Sequence, residues 1–282
     1  MLKIQRTTRE LQRTARLLTL LIHNTIVHKN HPASTMKTDS TKTTSSALVL
    51  LFRLIEANDW QKINNMFLTD PEGQRSFKYL TALVAKSSSF NGMTILHACA
   101  KFNPPSLLVE RIIELCPNDT SSQDCLDRTP LHVAAGTGAS RNVIKVLVEA
   151  HPDACMVQDK DGRTPLHLAC DSSCELFEDN RIALYDRPTP SYGTIGVLLE
   201  ASLDSAVLED KDGMSAIEYA LFSNADLQVV QLIQRAARKK MLEKQEEEKA
   251  NKAKGKLSPQ RCNSAAIKKL SPRKPLLNAP SA

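Results

Sequence analysis

Asp159–Cys170 reads DKDGRTPLHLAC, and the same frame returns along the chain. It appears as NGMTILHACA at Asn91–Ala100, as LDRTPLHVAA at Leu126–Ala135, and in weaker form as DKDGMSAIEYAL at Asp210–Leu221. The anchor hydroxyls Thr94, Thr129, Thr164 and Ser215 lie 35, 35 and 51 residues apart. A second apolar segment keeps the same register. It begins at Leu108, Val143, Thr194 and Val229, and a Pro117-Asn118 or Pro152-Asp153 breaker follows it in the first two repeats. Self-similarity at this period, over two separated segments, is the signature of a solenoid built from stacked supersecondary units.

The frame has a physical reading of its own. Gly162 and Gly213 stand where a tight turn needs positive φ. Thr164 suits an N-cap whose hydroxyl accepts an orphan backbone N–H, and Pro165 suits the first helical position, where a missing N–H costs nothing. Ala169 is small enough for a second helix to approach. Val143, Val146, Leu147 and Ala150 form an apolar stripe at helical spacing. One such helix pair has too little apolar surface to close a core, so neighbours must supply the rest.

These residues resemble the ankyrin repeat family. The motif is intact at Thr129-Pro130-Leu131-His132 and Thr164-Pro165-Leu166-His167, has Ile95 for proline at Thr94-Ile95-Leu96-His97, and is degenerate at Ser215-Ala216-Ile217-Glu218. The resemblance covers roughly residues 88–240. It implies a mainly α fold, a helix-turn-helix solenoid with β-turn fingers. It also implies a structural role for Thr94, Leu96, His97, Thr129, Pro130, Leu131, His132, Thr164, Pro165, Leu166 and His167, with each imidazole bridging backbone and threonine groups. The expected division is a leader at 1–46, an atypical capping repeat at 47–90, and repeats at 88–122, 123–157 and 158–208. A degenerate repeat at 209–240 and a charged helix with a basic tail at 241–282 complete it. The third repeat carries an insertion at 171–193, which contains Glu175, Glu178, Asp179, Tyr185, Pro188 and Pro190.

The net charge of +6 conceals an asymmetry. Residues 46–233 hold fifteen Lys/Arg against twenty-five Asp/Glu, whereas residues 234–282 hold fourteen against four. An acidic solenoid between disordered basic arms is expected. Residues 1–45 combine Arg6, Arg9, Arg13 and Arg16 with many Ser and Thr. That composition suits either an organelle transit peptide or a disordered leader before Met36. The run Leu17–Ile22 is too short for a transmembrane segment, and none is expected. In the cap, Leu48–Ala57 reads as a helix. Asp59 reads as the cap of a second helix, with Trp60, Ile63, Met66 and Phe67 buried and Asp70-Pro71 as the stop. Leu227, Val230, Leu232, Ile233 and Ala237 are expected to close the last repeat.

Seven cysteines with no C-x-x-C spacing indicate free thiols in a reducing compartment, with Cys99 and Cys170 in small-residue columns of the first helix. His167, Cys170 and Cys174 share a helical side, but His167 belongs to the repeat column with His97 and His132. No metal and no cofactor are therefore expected. No phosphate-binding loop, nucleophile elbow or zinc-protease motif occurs in the sequence, so the chain is read as a non-enzyme.

Function is expected to reside in side chains the frame does not use for packing. These are Phe90, Asn91 and Met93; Asp124, Leu126 and Arg128; Lys160, Asp161 and Arg163; and Lys211, Asp212 and Met214. The resemblance implies a protein-interaction scaffold. The acidic solenoid favours other proteins with basic patches as partners of a monomer in the cytoplasm or nucleus. The alternative is an adaptor whose basic tail binds nucleic acid or chromatin; with no aromatics there, such binding would be nonspecific. Ser258 and Ser271 each precede a proline and a basic residue two or three positions on, a pattern that resembles a proline-directed phosphorylation site.

Overall fold

The computed structural model describes residues 39–173, 176 and 189–255, with side chains described from residue 46 to residue 252 within that set. The leader up to residue 38, most of the insertion (Cys174, Glu175, Glu178, Asp179, Tyr185 and Pro188 among it), and the tail with Ser258 and Ser271 lie outside the described residues. Eleven α-helices and no strand occur among the described residues. They are α1 (Asp39–Glu56), α2 (Trp60–Ile63), α3 (Pro71–Lys86), α4 (Ile95–Lys101), α5 (Ser106–Leu115), α6 (Pro130–Gly136), α7 (Arg141–Ala150), α8 (Pro165–Cys170), α9 (Tyr192–Ala201), α10 (Ala216–Phe222) and α11 (Leu227–Gly255). The chain divides into two units, one ending at Leu242 and one beginning at Glu243. The second unit is helical as far as Gly255 and mostly exposed over its described side chains.

The short helices α4, α6, α8 and α10 stack side by side, and α5, α7 and α9 form a second row behind them. One apolar core runs through both rows from Leu51 to Ala236. Its repeating elements are Leu96, Leu131 and Leu166 from the first helices and Ile112, Leu147 and Leu198 from the second. Each pair leaves half of its apolar surface for the next pair, so the core is continuous along the stack.

The turn inside each pair is closed by a residue in the left-handed region. Asn58, Asn103, Gly138 and Asn224 all have positive φ, between 48° and 72°. Three of these turns share a closing bond, from Asp59 N–H to Leu54 O, Ala139 N–H to Ala134 O and Ala225 N–H to Ala220 O, each 2.9 Å. The corresponding position in the third repeat is Ser173, where the insertion begins.

The cap departs from expectation at three points. Helix α1 begins at Asp39, inside the stretch read as leader. Its Ser- and Thr-rich first half gives no apolar pattern, but a packed stretch from Ala47 onward lets the helix propagate backward. Asp59 does cap the second helix, accepting from Lys62 N–H at 3.2 Å. Its continuation at Asn64–Leu68 widens to a π-turn, however, which leaves Met66 41 % exposed while Ile63 and Phe67 remain buried. The carbonyls freed there accept from Thr69 Oγ1 (Asn64 O, 2.8 Å) and Gln74 Nε2 (Leu68 O, 3.0 Å). Third, Asp70-Pro71 ends one helix and starts another. Asp70 Oδ2 accepts from Glu72 and Gly73 N–H at 3.1 and 2.9 Å, and Pro71 opens the sixteen-residue α3. At the other end of the stack, Leu227 is 70 % exposed, and Val229 and Ala236 join Val230 and Ile233 in the core instead.

Candidate protein-binding surface

The surface is built on four β-turn fingers that precede α4, α6, α8 and α10. An aspartate five residues before the anchor hydroxyl shapes three of them. Asp124 Oδ1 accepts from Leu126 and Arg128 N–H at 2.8 and 3.0 Å. Asp159 Oδ1 accepts from Asp161 and Arg163 N–H at 2.9 and 2.8 Å, and Asp210 Oδ1 from Asp212 and Met214 N–H at 2.9 and 2.8 Å. Each aspartate also donates its own N–H to the carbonyl four residues on. The tip residues Gly92, Asp127, Gly162 and Gly213 all take positive φ. An added Cβ on Gly162 would lie 2.9 Å from Lys211 N, so glycine is required there by packing as well as by φ.

Backbone bonds join successive fingers into a row. Cys125 N–H donates to Asn91 O, Lys160 N–H to Leu126 O and Lys211 N–H to Asp161 O, at 2.6, 2.9 and 3.0 Å.

Behind the fingers, the histidines tie repeat to repeat. His97 Nε2 lies 2.9 Å from Arg128 O, His132 Nε2 3.1 Å from Val157 O and 3.3 Å from Arg163 O, and His167 Nε2 3.1 Å from Leu208 O. A carbonyl only accepts, which assigns the ring proton to Nε2 and leaves Nδ1 as acceptor. Nδ1 receives the N–H of Thr94, Thr129 or Thr164 at 3.1 Å in each case, together with the threonine hydroxyl at 2.8–3.0 Å. The threonine hydroxyl at the N-cap therefore serves the imidazole in a reciprocal capping box. Burial holds His97 and His132 down to about 4, and it lowers His167 as well. In the last repeat Glu218 takes over the box, with Oε2 accepting from Ser215 N–H at 2.6 Å and Ser215 Oγ at 2.8 Å. These bonds lower its pKa. Tyr219 stacks edge-on against His167 at 5.9 Å and donates to Asp210 Oδ2 at 2.6 Å. Burial alone would raise the Asp210 pKa; the bonds from Tyr219, Met214 and Asp212 outweigh it and lower the pKa.

Three of the twelve residues read as contact positions belong to the interior. Phe90 is buried and stacks on Phe52 with ring centroids 5.4 Å apart, because the first finger abuts helix α1 where later fingers abut one another. Asp124 and Arg128 form a buried ion pair. Arg128 Nε and Nη2 both donate to Asp124 Oδ2, at 2.8 and 2.6 Å, and Nη1 donates to Leu176 O at 3.2 Å. Leu176, the one described residue of the insertion's interior, packs against Leu168 and lies close over Gly136. Asn91, Met93, Leu126, Arg163 and Met214 are half-buried, and Arg163 lies 3.5 Å from Asp159 and 3.1 Å from Asp161. Lys160, Asp161, Lys211 and Asp212 are exposed, two per finger on adjacent fingers. The aspartate column at 124, 159 and 210 was the signal for the interior role, since a residue kept at one frame position through three repeats has a frame function.

Residues 96–178 match the family model of ankyrin repeats (3 copies). The chain carries an ankyrin-repeat domain. Ankyrin repeats are protein–protein interaction domains, and the family is typically non-catalytic. No curated protein matches the sequence. No helix among the described residues is long and apolar enough to cross a membrane.

The free thiols Cys99, Cys155 and Cys170 are buried within this domain. Burial pushes Cys99 up to about 12 and Cys155 to about 11, and raises Cys170 further, which makes all three poor nucleophiles near neutral pH.

Proposed function

We propose that the chain is a non-catalytic interaction scaffold that holds another protein along its finger row. One observation carries this reading: the backbone of each finger is fixed by its own aspartate or by its neighbours, while Lys160, Asp161, Lys211 and Asp212 point to solvent. A rigid backbone with free side chains loses little conformational entropy on binding, which is what a recognition surface needs. Half-buried Met93, Leu126 and Met214 supply apolar contact between the charged positions.

The excess of acids over residues 46–233 favours partners with basic patches, through faster encounter more than tighter binding. The chemistry of the frame argues for scaffold rather than catalyst: both nitrogens of each repeat histidine are committed to hydrogen bonds, and the buried thiols are held protonated. The test is a photo-crosslinking side chain placed at Lys160, at Lys211, and at exposed Glu149 on α7 in the full-length protein. Adducts from the two finger positions but not from Glu149 support the reading. Adducts from Glu149 alone overturn it.

A further inference from the structure

Helix α3 has no counterpart in the other repeats. The same connection is made elsewhere by the short turns Pro117–Thr120, Pro152–Met156 and Asp204–Val207. Stacking needs only a turn there, so a sixteen-residue helix is an addition to the frame. One face of it serves the core through Gly73, Phe77, Leu80, Thr81 and Val84. The opposite face carries Arg75, Lys78, Tyr79, Ala82, Leu83 and Lys86, all exposed. Tyr79 is 60 % exposed and Leu83 37 %, and their four-residue spacing places them one above the other as a ridge. Arg75, Lys78 and Lys86 flank that ridge, and Glu72 in the first turn is the only acid on the helix. None of the three cations has a carboxylate partner among the described residues. The face is a basic, apolar island on an acidic body.

We infer that the outer face of α3 is a second docking surface, for an acidic amphipathic helix of a partner protein. The Tyr79–Leu83 ridge packs into the groove between i and i+4 rows of a facing helix, and the three cations meet Glu or Asp on either side of that helix's apolar stripe. Cations around an apolar centre give such a site orientation and a salt-sensitive on-rate. An anionic membrane fits less well, because a flat bilayer would bring the surrounding acidic body against like charge as soon as α3 approached. A single peptide helix touches α3 and leaves the body in solvent.

The experiment uses the full-length protein and a labelled synthetic helix of about five turns, with Leu and Phe at i, i+4 spacing and Glu on the flanks. Binding is read by fluorescence anisotropy, beside a scrambled peptide of equal composition and vesicles of phosphatidylserine and phosphatidylcholine. The helix is expected to bind, more weakly as salt rises, and the scrambled peptide to bind at least about tenfold more weakly. Either Tyr79→Ala/Leu83→Ala or Arg75→Glu/Lys78→Glu/Lys86→Glu should weaken the helix about tenfold or more, with an unchanged circular dichroism spectrum. Lys160→Glu/Lys211→Glu should leave it unchanged, which separates this surface from the finger row. The inference is overturned if the helix fails to bind, if the scrambled peptide binds equally, or if both α3 variants retain it. Vesicle binding that the charge reversal abolishes would assign the face to membranes instead.

Discussion

Asp119 should destabilise the native state at neutral pH. It lies in the turn Pro117–Thr120, in the column occupied by Ala154 and Ser205, both about 1 % exposed. Stacking calls for a small side chain there, and a carboxylate stands in its place. Asp119 is 8 % exposed, and its Oδ2 has no hydrogen-bond partner. Burial raises its pKa from 3.8 to about 6. The native state therefore holds a proton that the unfolded chain releases between those values, and stability falls as pH rises through the window. The shift alone converts to about 3 kcal/mol as an upper bound. Since the site keeps some solvent contact and relaxes around the charge, about 1–2 kcal/mol is the expected effect. Asp119→Ala or Asp119→Asn should raise the urea midpoint at pH 7 by that amount and change it little at pH 3.5, followed by circular dichroism at 222 nm. Destabilisation by both variants at pH 7 would refute the reasoning, because it would mean that the ionised carboxylate makes favourable contacts.

The histidines should act in the opposite sense. With folded pKa values near 4 against an unfolded 6.5, His97 and His132 contribute stability above pH 6.5 that is lost as pH falls toward 4. His132→Gln should flatten the decline of the urea midpoint across that window; an unchanged slope would count against a neutral buried imidazole. Arg128→Met strands the Asp124 carboxylate and should cost about 3 kcal/mol or more in urea unfolding, and Arg128→Lys should recover only part of it because the bidentate contact is lost. Equal stability of Met and Lys variants would deny the fork its role. Gly213→Ala should cost about 1 kcal/mol for its left-handed backbone, and Gly162→Ala at least about 1 kcal/mol more, since its Cβ also meets the next finger. Indistinguishable thermal melts for the two would contradict the packing of finger on finger.

Much of the fold was legible because the frame repeats. A threonine, a proline, a leucine and a histidine at fixed spacing specify a cap, a helix start, a core residue and an inter-repeat bond, and all four are local in sequence. Helix α3 was missed although Asp70-Pro71 carries a helix-start signal, because the same pair was read as a stop by analogy with Pro117-Asn118. The burial of Arg128 was not legible. It depends on Leu176, which lies 48 residues away within an insertion that follows no repeat pattern. Phe90 was misplaced for a related reason, since the first finger faces α1 rather than another finger. The exposed charges at Lys160, Asp161, Lys211 and Asp212 were identified correctly as side chains that the frame leaves free.

The most direct test of the scaffold reading is affinity capture by the full-length protein from cell extract, with Lys160→Glu/Asp161→Lys/Lys211→Glu/Asp212→Lys as the comparison. These four side chains are exposed, so the thermal melt should be unchanged. The account predicts that proteins captured by the wild-type chain are lost with the finger variant. Retention of the same proteins by a folded finger variant would contradict it.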